Sequence, residues 1–127
     1  MPKPAAGLRL SRVSNICTAL PRATCEPCGD HTAFRIGKKT FAYFLNNHHG
    51  DGIISVTAKV GPGDNTALAA AQPGRFYLPA YVGPKGWVAL RLDVGEIDWD
   101  EVRELVSDSY RRIAPKRLAA MVKIAGE

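Results

Sequence analysis

No stretch of the sequence approaches the roughly 18 consecutive apolar residues that a membrane-spanning helix needs. The N-terminal candidate, LRLSRVSNICTAL, is broken by Arg9, Arg12, Ser14 and Asn15. Its interruptions exclude a signal-peptide core and lead to the expectation of a cytoplasmic protein with no membrane partner. The same stretch carries no acid before Glu26, which also fits an organellar targeting peptide, while its apolar spacing at Leu10, Val13, Cys17 and Leu20 fits a domain helix. Cysteine is scarce. Three residues, Cys17, Cys25 and Cys28, in a chain without a secretion signal argue for reduced thiols rather than a disulfide framework. Also missing are the G-x-S-x-G, P-loop, H-E-x-x-H and dinucleotide-binding patterns, so the familiar enzyme classes that carry them find no support. The expectation is a protein without a cofactor and without a catalytic residue of a known motif.

Acids are sparse over most of the chain. Seven of the 12 lie between Asp93 and Asp108, where they face a single base, Arg103; the remaining five acids face 16 bases elsewhere. Away from that segment the surface is strongly basic, a field that attracts phosphate-rich partners.

The 127 residues suffice for one core without metal or disulfide staples. A single domain over 1–127 is expected, with 1–7 as a flexible N-terminus and 114–127 as a helical tail. A first helix, about Leu8 to Leu20, ends at Pro21 and leads into a loop carrying Cys25, Pro27, Cys28 and Gly29. HTAFRI and TFAYFL alternate around a turn at Gly37-Lys38-Lys39 and read as a hairpin. The polar NNHHGDG loop precedes IISVTAKV, a half-buried strand. Asp64 or Asn65 is expected to cap the Ala-rich helix TALAAAQ, which Pro73-Gly74 stops. RFYLPAYV and WVALRLD form a second strand pair, with Pro79 demanding an edge position or a bulge. The turn between them, Gly83-Pro84-Lys85-Gly86, has proline second and glycine fourth, as a tight turn requires. Asp98 caps the longest helix, whose apolar positions Trp99, Val102, Val106, Tyr110 and Ile113 share a face expected to receive Phe34 or Phe41. The element order is αβββαββα plus the tail.

FRIGKKTFAYF, HHGDG, RFYLPAYVGPKGWVALRLD and DWDEVRELVSDSYRRIAPKRL, in that order over about Leu10 to Ala120, closely resemble the MmcQ/YjbR-like family of small bacterial proteins. The resemblance implies an α+β, two-layer sandwich with an antiparallel five-stranded sheet, akin to type III secretion chaperones and frataxin-like proteins. Its hairpins look like the double-wing motif of a phage transcription factor, which implies DNA binding by structural analogy. A monomer or a weak homodimer is expected. The Cys25-Glu26-Pro27-Cys28 segment departs from the family pattern.

Three candidate sites follow. Cys25, Cys28 and His31, with Cys17 as a fourth donor, have the residue types of a zinc site but not its two clear ligand pairs, so no metal is expected there. If the family's sheet order sets the last strand beside TFAYFL, Lys38, Lys39, Lys59 and Arg75 form one basic, nucleic-acid-binding end. The opposite end then gathers His48, His49, Asp51, Tyr81, Lys85 and Trp87, an alternative site for a small ligand or an unfamiliar enzyme. A third expectation is a chaperone-like adaptor that binds protein.

Overall fold

The computed structural model describes residues 4–29, 31–47, 50 and 52–122, with side chains from residue 7 onward. Helix α1 (Pro4–Thr18) begins inside the segment expected to be flexible. It is followed by β1 (Ala23–Cys28), β2 (His31–Ile36), β3 (Lys39–Asn46) and β4 (Ile54–Lys59), then α2 (Asp64–Ala71), β5 (Phe76–Tyr77), β6 (Trp87–Arg91), α3 (Trp99–Ile113) and α4 (Lys116–Ala119). The mixed α+β class with an antiparallel sheet is as expected. The sheet has six strands rather than five, in the order β1-β2-β3-β4-β6-β5, with every neighbouring pair antiparallel.

The additional strand is the Cys/Pro segment read as a loop. All six residues of β1 pair with β2, from Ala23 opposite Ile36 to Cys28 opposite His31. Proline is admissible there because β1 is an edge strand, so the donor that Pro27 lacks is not needed by a second neighbour. Pro79 follows the same logic differently: β5 ends at Tyr77, and Pro79 lies in the connection beyond it.

Period-two alternation decides which side chains enter the core. Phe34, Phe44, Val56, Val88 and Leu90 point to the helical layer and join Val13 and Cys17 of α1 and Val102, Val106 and Tyr110 of α3 in one buried cluster. A register shift at Phe34/Arg35 pairs Phe34 with Ala42 but Arg35 with Thr40, leaving Phe41 as a bulge. Phe41 and Ala42 therefore both face inward, and the Phe41 ring meets Tyr110 edge-on at 5.3 Å between centroids. The expected helix face is present, though Trp99 is only half-buried, with the Arg12 guanidinium over its ring at 4.8 Å.

Asp98 caps α3 as expected, accepting hydrogen bonds from the Asp100 and Glu101 amides, with acids in the first turn and Arg111 and Arg112 in the last. The capping expectation for α2 fails. Gly63 occupies the cap position without a side-chain bond, and Asn65 is buried on the first turn with its amide directed elsewhere. Among the described residues no helix is long and apolar enough to cross a membrane.

Candidate nucleic-acid interface

The strand order decides which charged residues share an end of the sheet. Because β6 pairs with β4 and not with β3, Lys59 lies directly opposite Trp87. One more antiparallel reversal than expected brings the Lys85 turn to the end that carries Lys38 and Lys39, between β2 and β3. The same reversal sends Arg75 to the other end, where its carbonyl accepts the Arg91 amide at 2.8 Å. The expected grouping is corrected at three positions: Lys85 and Trp87 join the lysines, and Arg75 leaves them. Arg75 is also committed elsewhere, to Glu101 and the side-chain Oε1 of Gln72, with its guanidinium 5.3 Å from the Phe76 centroid.

Lys38, Lys39 and Lys85 are exposed and Lys59 is half-buried. None of the four makes an ion pair with a carboxylate among the described residues, whereas Arg35, Arg75, Arg91, Arg103 and Arg112 all do. Uncompensated lysines at hairpin ends carry their full charge to solvent. Between the Lys59 and Lys85 segments opens a cleft of about 1190 Å³, lined by Lys59, Asn65, Leu78, Pro84, Lys85 and Arg112 among others.

Two buried polar side chains fix the backbone beneath these lysines. The Asn65 amide donates to the Gly83 carbonyl at 2.8 Å and to the Trp87 carbonyl at 3.1 Å, so it holds both ends of the segment that carries Lys85. Within that segment Gly83–Lys85 form a single 3-10 turn, and Gly86 closes it by donating to the Gly83 carbonyl at 3.0 Å. Gly86 has φ of +91°, a conformation that disfavours any side chain. The predicted turn chemistry is therefore present, although the turn is the tip of a longer connection and not a two-strand hairpin. Ser109 of α3 does the equivalent for Lys59, accepting its amide at 3.0 Å while donating to the carbonyl of bulged Phe41 at 2.6 Å.

The remaining candidates are dispersed. Tyr81 is exposed in the connection after β5, with φ of +66°. His48, His49 and Asp51 lie outside the described residues. On β1, Cys25 pairs with core-facing Phe34 and Cys28 with His31. Three residues apart on one strand, the two thiols point to opposite faces. Cys17 of α1 is buried in the core between the helices and the sheet, and burial pushes its thiol well above the usual range. Among the described residues no three His, Cys, Asp or Glu side chains converge on a metal-binding position.

At the end opposite the lysines, Asp93 accepts from Arg91 Nε at 2.9 Å and from the Ile54 amide at 3.4 Å. Burial pushes its carboxyl up, but the Arg91 hydrogen bond and charge with the Ile54 amide outweigh it, and the net shift is downward. A carboxyl depressed in the folded state stabilises above its unfolded value, about 3.9 for Asp, and loses that contribution as pH falls through the folded value below it. Asp93→Asn is expected to remove this part of the acid limb. Urea titrations of both proteins across the acid range check it, with the difference in stability shrinking toward low pH.

Residues 18–112 match the family model described as YjbR, well over half the chain. The chain belongs to the YjbR family. Among solved structures, the Deinococcus radiodurans protein DR2400, with a DUF419 domain, is similar at a TM-score of 0.68 and 22% identity, over 85% of this chain and 80% of that one. At that identity the likeness concerns the fold alone. No curated protein matches the chain. The YjbR match begins at Thr18 and ends at Arg112, so it takes in every strand of the sheet and both segments that frame the cleft.

Proposed function

We propose that this YjbR-family protein is a small non-enzymatic module that binds nucleic acid by gripping phosphates with the lysine end of its sheet. The observation that carries this reading is the convergence of Lys38, Lys39, Lys59 and Lys85, none of them paired with a carboxylate among the described residues. Lysine contacts to phosphate position a protein on the strand without reading sequence. The cleft supports a second reading, a small phosphate-bearing ligand held by Lys59, Lys85 and Arg112.

Salt titration of binding tests the proposal. If four phosphates are neutralised, the slope of log affinity against log salt is about −3.6 on duplex and about −2.8 on a single strand. Lys38→Glu with Lys39→Glu should halve it. An unchanged slope in that variant, or no binding in low salt, contradicts the proposal.

A further inference from the structure

The helices of this protein pack on one face of the sheet, and among the described residues no helix covers the other face of the central strands. That second face carries His31 and Ala33 from β2, Tyr43 and Leu45 from β3, and Ser55, Thr57 and Lys59 from β4. Tyr77 of β5 and Trp87, Ala89 and Arg91 of β6 complete it. Registration places Ala33, Tyr43, Thr57, Ala89 and Tyr77 in one row across five strands. None of these side chains belongs to the core cluster that the helices pack on. Yet Ala33, Ser55, Thr57 and Ala89 are 2% exposed or less.

Large side chains of the same face lie over this small-residue floor. The Tyr43 ring lies 5.7 Å from the Trp87 ring at an angle of 48° and 5.9 Å from the His31 ring at 67°. The Tyr77 hydroxyl reaches Ser55 Oγ at 2.9 Å. Trp87 is buried and braces Tyr43 from one side, whereas Tyr43 itself stays half-exposed. Thr57 Oγ1 lies buried in the floor with no hydrogen-bond partner among the described residues.

We propose that this face is a stacking platform for the bases of a single-stranded nucleic acid, with Tyr43 as its principal ring. The inference rests on the phosphate-gripping reading and specifies its ligand. Three observations join the two. The aromatic row runs into the lysine end, because Trp87 is the cross-strand partner of Lys59. Tyr43 is opposite Thr57, and Lys59 is two residues further along β4, about 7 Å at the strand rise. A ring for the base and a cation for the backbone thus stand within the reach of neighbouring groups on one strand of nucleic acid. Charge complementarity points the same way, since Lys59 and Lys85, without an ion pair among the described residues, border the platform while the acid-rich α3 lies on the opposite face of the sheet. A duplex hides its base faces and can use the lysines only. Single strands present every base face, and aromatic stacking accepts them without regard to sequence.

The test measures anisotropy of labelled oligonucleotides of equal length: a pyrimidine single strand, the same strand made abasic, and a duplex. The full chain is expected to bind the normal strand more tightly than the abasic one. Tyr43→Ala should weaken the normal strand between about 5- and 150-fold, the range of one lost stack, and leave the abasic strand unaffected. Tyr43→Phe should retain wild-type affinity. Tyr43→Leu, which keeps the floor covered without a ring, should bind as Tyr43→Ala does. If normal and abasic strands bind equally, or if Tyr43→Leu binds like wild type, the platform is refuted while the phosphate reading stands. If none of the three probes binds, the phosphate reading fails and the platform with it.

Discussion

Replacing Tyr110 by alanine lowers the free energy of unfolding by about 3–5 kcal/mol, the range for a buried aromatic truncated in a packed core. Tyr110 is fully buried, so its removal opens a cavity where α3 crosses the β3 bulge. Its hydroxyl also donates to the Pro21 carbonyl at 2.6 Å, tying α3 to the chain that leaves α1. The alanine variant loses both the ring packing against Phe41 and the only described link of that kind. Trp99→Ala is the informative comparison. Residue type and helical spacing put the two aromatics on one face, but Trp99 is half-exposed, so its loss is expected to cost less than that of Tyr110. Denaturant midpoints of the two variants check this order. A loss below about 0.5 kcal/mol at Tyr110, the usual ceiling for surface positions, contradicts the packing described.

The second large effect is on binding. Lys59→Glu with Lys85→Glu should weaken nucleic-acid affinity roughly 50- to 100-fold at an ionic strength of about 0.1 M, since each lost phosphate contact removes close to a decade there. Arg75→Gln should leave affinity unchanged. The contrast separates the observed grouping from the one expected of a sheet with β6 beside β3, in which Arg75 contacts phosphate and Lys85 does not. Equilibrium titration at fixed salt, with melting curves to confirm folding, reads it out. Equal losses in the two variants contradict the placement of the binding end.

Local chemistry was legible in the sequence; strand adjacency was not. The Asp98 cap, the apolar stripe of α3 and the turn at Gly83–Gly86 each depend on neighbours in the chain, and all three are present. The side of the sheet on which Lys85 emerges depends on a single long-range fact, that β6 pairs with β4. Nothing in the residues near Lys85 encodes it. Strand β1 was missed because proline and cysteine resemble a loop, while an edge strand tolerates both. Asn65 and Ser109 were missed as supports of the lysine end for a further reason. A buried amide or hydroxyl is expensive unless paired, and their partners, Gly83, Trp87, Phe41 and Lys59, are 18 to 68 residues away. A small polar residue inside a helix is a faint signal until those partners are known. The aromatic row suffers likewise: Tyr43 and Trp87 look like core residues singly, and only the register sets them side by side on the face away from the helices.

Backbone amide NMR of the full chain during titration with a single-stranded oligonucleotide tests the central claim most directly. The lysine-end reading predicts the largest shift changes at Gly37, Lys38, Lys39, Lys59, Lys85 and Trp87, fading as salt rises. Changes centred instead on Arg75, Arg91 and Asp93, at the opposite end of the sheet, would contradict it.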